Sequence, residues 1–217
     1  MARMAGLRFD ADWSESVALR DGSTAELRLL RAEDRDELYA GFKRLSPESR
    51  YRRFFTETVD LSPAALDYLT LLDGHDHFAI VAHRPSPDLK HDVGIGVARF
   101  IRLKREPNVA EAAITVSDDA QGLGLGRVLL ARLREAALER EVTCFRTSVL
   151  GTNDAMAKLV SDGFVHESDG TVIVIDVPLA EPSEPHLYKL LRMAAGSVAT
   201  WVRWLTLRTP ESEPESS

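Results

Sequence analysis

The sequence predicts an α/β (α+β) fold, a mixed, mostly antiparallel sheet of about seven strands with one central βαβ crossover and flanking helices. Three observations predict it. Strand-like runs at 78–83 and 93–101 lie close enough to form a hairpin. A strongly periodic helical run, 127–140, separates two further strand-like runs at 109–116 and 143–150. The 217 residues, 44% hydrophobic and 28% charged, fill one core and are short for two substantial domains.

Residues 1–22 mix charged and apolar residues without a sustained period and read as an N-terminal arm or a first strand. From Thr24 to Leu30, Ala25, Leu27 and Leu29 alternate with Glu26 and Arg28, the pattern of a half-buried strand. A helix over Ala32–Leu45 follows, with Leu38, Phe42 and Leu45 on one face. Ser46-Pro47 restarts the chain as an N-cap followed by a proline, and 49–55 continues as a short helix. Ser62-Pro63 repeats the device for a helix that turns Leu66, Leu69 and Leu72 inward and stops at Gly74. After the hairpin come the strand 109–116, the helix 127–140 with Val128, Leu129, Leu133 and Leu138, and the strand 143–150. A helix over 153–161 and two strands, near Phe164 and over 171–177, close the order β–α–α–α–β–β–β–α–β–α–β–β.

The organisation expected is an arm or first strand over 1–22, a folded domain over 23–180, a linker over 181–185, a helix over 186–208 and an acidic, disordered tail over 209–217. The 186–208 helix is amphipathic and basic, carrying Lys189, Arg192, Arg203 and Arg208 and no acid. It can pack on the domain, pair two subunits or lie peripherally on an anionic membrane.

A formal charge of −7 argues against a nucleic-acid partner and suits a cationic substrate better. The single cysteine, Cys144, cannot form an internal disulfide, and the first residues lack an apolar export segment, so a reducing cytoplasm is the expected compartment. Met193–Val202 is about half the ~20 apolar residues a membrane-spanning helix needs, so no transmembrane segment is expected.

The chemistry centres on Gln121-Gly122-Leu123-Gly124-Leu125-Gly126-Arg127, between a strand ending at Val116 and a helix. Glycine lets the backbone approach a ligand closely, and the N–H groups and dipole of a helix N-terminus attract a pyrophosphate. A dinucleotide fingerprint would need Gly at 127, where Arg stands, and no Gly-Lys-Ser/Thr follows for a Walker A loop. The bland reading is a tight glycine turn without a ligand.

The run does match Gln/Arg-x-x-Gly-x-Gly/Ala, and in this it resembles the acetyl-CoA signature of the GNAT N-acetyltransferases. Downstream, Asn153-Asp154-Ala155-Met156 opening a helix that ends at Gly163-Phe164 resembles the GNAT segment whose Asn contacts the pantetheine arm. Asn153 can equally be a plain helix cap. Leu45–Phe55 and Ala110-Glu111-Ala112-Ala113-Ile114-Thr115-Val116 look like the corresponding segments of bacterial Pat-type protein lysine acetyltransferases. The resemblance covers roughly 23–180 and implies the GNAT fold, acetyl-CoA as co-substrate and a lysine side chain as acceptor. It implies cofactor contacts at Ile114, Thr115 and Val116, at Gln121 to Arg127, and at Asn153 and Met156. It also implies that the backbone of Ile114–Val116 pairs with pantetheine and that an N–H near Val116 polarises the thioester carbonyl.

An amine with a pKa near ~10.4 needs a base before it can attack a thioester at neutral pH. Glu111 is a carboxylate in an apolar run, where desolvation raises its pKa toward a useful range. In the enzymes resembled, the glutamate here is the general base; otherwise Glu111 is a strand residue facing solvent. Many GNATs place a tyrosine acid five residues before the helix-ending Phe, where this chain has Leu159. His75-Asp76-His77 forms no visible metal ligand set and reads as a loop near a substrate cleft. Cys144 reads as a small core residue, and Arg50, Arg52 and Arg53 read as CoA-phosphate or substrate ligands or as a solvated face.

The sequence therefore points to an acetyl-CoA-dependent N-acetyltransferase acting on protein lysines, with Glu111 as general base and no metal. Two rivals remain: a GNAT enzyme for a small amine, and an acetyl-CoA-binding sensor without turnover. Pat-type enzymes often carry a fused regulatory domain, for which this chain has no room, so control by such a module in cis is not expected.

Overall fold

The computed structural model describes residues 6–47, 49, 60–85, 92–150, 165–168 and 172–179. The expected short helix beyond Ser49, the helix 153–161, the linker, the 186–208 helix and the tail lie outside the described residues, as do Arg50, Arg52, Arg53, Asn153, Met156 and Leu159.

The eight described strands, numbered below in chain order, form one sheet in which the last two exchange places. The segment ahead of residue 23 contributes β1 (Ser14–Ala18), antiparallel to β2 (Thr24–Leu29). β3 (His77–Arg84) and β4 (Val93–Leu103) form the expected hairpin. β5 begins earlier than its apolar run suggests, at Glu106, and ends at Val116, because it pairs back along β4 from the tight Lys104-Arg105 connection. β6 (Cys144–Leu150) is parallel to β5, and the helix between them makes the central βαβ unit. β7 (Val165–Ser168) and β8 (Val172–Pro178) complete the sheet.

A short 3-10 turn at Ala32–Asp34 leads into α1 (Arg35–Arg44). The expected start at Ala32 is held out of α-helical geometry because Asp34 accepts the Arg31 N–H and a bidentate pair of bonds from Arg28 of β2. Ser62 caps α2 (Pro63–Thr70) by accepting the Ala65 N–H at 3.1 Å. That helix ends at Thr70, not at Gly74, and Leu72 packs from the following loop against Leu30, Ala79 and Val81. α3 (Leu125–Leu138) starts two residues before the expected Arg127, directly on the glycine turn.

The main core lies between the sheet and α3. Leu125, Leu129 and Leu133 are fully buried against Ile80, Ala98, Phe100, Ala112 and Ile114. Opposite, Phe42, Leu45, Ala65 and Leu66 join α1 to α2. Among the described residues no helix is long and apolar enough to cross a membrane.

Candidate active site

The parallel pairing of β5 with β6 runs only through Val109–Cys144, Ala110–Phe145 and Glu111–Arg146. Beyond Glu111, β5 stays on β4 as far as Val116 while β6 continues on β8, so the sheet forks. Backbone N–H groups alternate sides along a strand. The Ser117 N–H donates to Ile95 O of β4 at 2.9 Å, so the N–H groups of Ile114 and Val116 turn the other way, into the fork. This leaves an edge to which an extended ligand can hydrogen-bond.

Glu111 is half-buried at the apex of this fork. Register places His77, Ile101, Glu111, Arg146 and Asp176 in one row across β3, β4, β5, β6 and β8. Partners directly opposite share a face, so this row lies opposite the side packed on α3, where Ala112 and Ile114 sit. Thr115, two steps of two from Glu111, is half-buried on the Glu111 face.

Two arginines shape that face differently. Arg146 is held by Asp176 at 2.7 Å and by Glu106 at 2.6 Å, and hydrogen bonds to these carboxylates raise its pKa. Arg99 is 2% exposed, and its Nη1 donates to Leu69 O at 3.1 Å, pinning the C-terminal end of α2 to the sheet. Burial lowers the Arg99 pKa to about 10, which leaves it charged at neutral pH. The pinned helix places Tyr68 with its ring centroid 5.1 Å from that of His77. Burial raises the Tyr68 pKa, with the Arg99 charge opposing and the Glu111 charge adding to the rise, so the phenol stays protonated close to the fork.

His77 is not in a loop, as the sequence suggests, but is the first residue of β3 and 8% exposed. Burial, followed by the Arg99 charge, lowers its pKa to about 3, so it is a neutral ring and a poor base. Sequence reasoning missed both Tyr68 and Arg99, whose roles depend on the packing of α2 over β4. Cys144 is only partly buried, and its thiol is pushed up to about 11, first by burial.

From Val116 the chain runs through Ser117 and a 3-10 turn at Asp118–Ala120 into the glycine segment. Gly122 and Gly124 have φ of +79° and +93°, values that L side chains rarely adopt. The first N–H groups of α3, those of Leu125 and Gly126, have no intrahelical acceptor, and Gly122, Leu123 and Gly124 lead directly into them. Such a cradle fits a diphosphate. Leu125 is fully buried and Leu123 packs against the core, so these two offer a ligand their backbone only. Arg127 is exposed in the first turn of the helix.

The Gln121 side chain donates to Val116 O at 3.3 Å and to Asp118 Oδ1 at 3.2 Å, closing the turn that joins the fork to the cradle. Asp118 also accepts from the Ser46 N–H at 2.8 Å and the Ser49 hydroxyl at 2.5 Å. Partial burial works to raise the Asp118 pKa, but the bonds from Ser49, Ser46 and Gln121 prevail and lower it. The Ser46 cap is thereby latched to the glycine turn.

A family model described as the acetyltransferase (GNAT) family matches residues 35–164. The chain is 36% identical over 162 residues to an acetyltransferase of Pseudomonas aeruginosa, a match covering 72% of this chain and 82% of that protein. It is 34% identical over 190 residues to acetyltransferase Pat of Mycolicibacterium smegmatis, covering 84% of this chain but 55% of that protein, so it spans about half of that relative. Among solved structures, the GNAT domain of S. lividans PAT is similar with a TM-score of 0.64 and 29% identity, over 78% of this chain and 99% of that one. A strand fork leading into a glycine-opened helix, together with these matches, shows that the chain belongs to the acetyltransferase (GNAT) family, whose co-substrate is acetyl-CoA.

Proposed function

We propose that this chain transfers the acetyl group of acetyl-CoA to a lysine side chain of a protein, with Glu111 as the general base. The observation that carries the reading is the position of Glu111 at the apex of the fork, on the strand that leads directly into the glycine cradle. The similarity to acetyltransferase Pat and to the GNAT domain of S. lividans PAT agrees with the Pat-type resemblance of Leu45–Phe55 and Ala110–Val116, and it is that resemblance which implies a protein lysine as acceptor.

Acetyl-CoA, when bound, supplies the acetyl thioester. The N–H groups of Gly122 to Gly126 and the first turn of α3, which carries Arg127, hold the diphosphate. The backbone of Ile114 and Val116, turned into the fork, aligns the pantetheine arm, and a Val116 N–H aimed at the thioester oxygen stabilises charge that develops there. Asn153 and Met156 belong to the same donor site in this reading. Glu111 takes the proton from the acceptor ammonium, which frees the nitrogen lone pair. The catalytic unit in this reading is 23–180, with β1 ahead of it adding an edge strand beside β2.

The test is CoA release measured against lysine-containing peptides, polyamines, aminoglycosides and free amino acids. Peptide-dependent release that Glu111→Gln suppresses is the expected result. Turnover confined to small amines would move the acceptor to that class. Tight acetyl-CoA binding without release from any amine would make the chain a sensor.

A further inference from the structure

We propose that Arg20, in the β1–β2 turn, is a positioning residue of the donor site that holds the glycine cradle in its anion-binding orientation. The inference rests on the reading of that cradle as the diphosphate site. Arg20 lies outside the 35–164 segment that the family model matches.

The turn is closed by its own hydrogen bonds. Leu19 and Ser23 close it, with the Leu19 N–H on Ser23 O at 2.8 Å and the Gly22 N–H on Leu19 O at 3.0 Å. Gly22 adopts a φ of +83°, and Asp21 Oδ1 accepts both the Ser23 N–H and hydroxyl. A three-residue hairpin loop with glycine in the left-handed position has this form. It presents Arg20 to the glycine loop, with a sequence separation of 102 between Arg20 and Gly122.

There Arg20 makes two bonds to consecutive carbonyls. Its backbone N–H donates to Leu123 O at 3.1 Å, and its Nη1 donates to Gly122 O at 3.4 Å. The side chain lies across Gly124, with Nε 3.6 Å from the position a Cβ would take there. In a trans peptide the C=O of one residue and the N–H of the next point in opposite directions, and the chain contains no cis peptide among its described residues. Holding the oxygens of Gly122 and Leu123 toward Arg20 therefore turns the N–H groups of Leu123 and Gly124 away from it, toward the ligand side. Two glycine residues make this loop flexible by composition, so a fixed partner behind it lowers the ordering that the ligand must otherwise impose. The guanidinium on Gly122 O also polarises the Gly122–Leu123 amide in the direction that strengthens the Leu123 N–H donor.

The experiment compares the full chain with Arg20→Ala, Arg20→Met and Arg20→Lys, reading the Kd of CoA by calorimetry and kcat and KM for acetyl-CoA with a lysine peptide. Arg20→Ala and Arg20→Met are expected to raise the Kd of CoA by about tenfold, the size of one charge-assisted hydrogen bond. The loss should fall on KM rather than kcat, and Arg20→Lys should recover part of it. Arg20→Met keeps the methylene cover over Gly124, so it carries the test if Arg20→Ala does not fold. A Kd within about twofold of the unsubstituted protein for Arg20→Met overturns the proposal, since so small a change is under half a kcal/mol. A loss in kcat alone overturns it too. Failure of the unsubstituted protein to bind CoA at all would instead remove the donor-site reading, and the proposal with it.

Discussion

Glu111 and Arg146 are the last residues that β5 and β6 hold in register, and the hydrogen bonds of Arg146 go to Glu106 and Asp176. The guanidinium next to the proposed base is thus bonded to two other carboxylates. Replacing Glu111 by Gln keeps the shape of the side chain and removes its basic lone pair. Turnover at neutral pH is expected to fall by about 10²–10⁴, the usual worth of a general base, with the Kd of acetyl-CoA nearly unchanged. The defect should shrink as pH approaches the pKa of the acceptor amine. Steady-state rates from pH 7 to 10 check this, and a neutral-pH rate within about threefold of wild type would place the base elsewhere.

Gly124→Glu should cost the donor site its affinity. At φ +93° the new side chain is strained, and its Cβ lies 3.6 Å from Arg20 Nε, so the carboxylate extends toward Arg20 and draws it off the turn proposed to hold the CoA diphosphate. CoA binding is expected to drop by at least about tenfold by calorimetry, with the far-UV spectrum retained. Unchanged affinity would take the glycine turn out of the donor site.

Arg140 tests the far end of the fold. Its guanidinium donates to Gly74 O at 2.7 Å, Ala136 O at 3.0 Å and Phe9 O at 2.7 Å, and lies 4.3 Å from the Phe78 ring centroid. One residue therefore ties the N-terminal segment, the end of α3 and the turn before β3 together. Arg140→Met should destabilise the protein by about 3 kcal/mol, because it strips donors from buried carbonyls. Urea unfolding measures this, and acetyl-CoA affinity at low temperature should survive.

His77 predicts an acid limb of stability. Its pKa falls from 6.5 to about 3 on folding, mainly through burial, so below pH 6.5 the unfolded chain binds the proton that the folded chain refuses. The stability is whole above pH 6.5 and is lost as pH falls toward 3. By pH 5 the loss should reach about 2 kcal/mol. The lowered carboxylates Asp34 and Asp118 contribute only at lower pH, around their unfolded value of 3.8. His83, also lowered by burial first, adds to the same window, so His77→Gln should flatten the slope between pH 7 and 5 only in part. Chemical denaturation at successive pH values decides it, and a slope unaltered by His77→Gln would show that its burial costs nothing on protonation.

The sequence by itself determined the strands and helices whose period is strong, and with them the central crossover through α3. It also determined the glycine turn, because positive φ at Gly122 and Gly124 is a local property that almost only glycine supplies. Glu111 stood out for the same kind of reason, as a charge in an apolar run. Boundaries slipped where long-range partners set them: α1 yields its first turn to the Arg28–Asp34 pair, and β5 starts at Glu106 because β4 is there to receive it. Only the tertiary structure decided that β5 and β6 part after Glu111, that Arg99 pins α2 so that Tyr68 lies beside His77, and that Arg20 reaches the glycine turn from a hairpin 102 residues away. Those relationships depend on which edges and carbonyls meet when the sheet closes, and hydrophobic period and turn chemistry are blind to them because they act over only a few residues of chain.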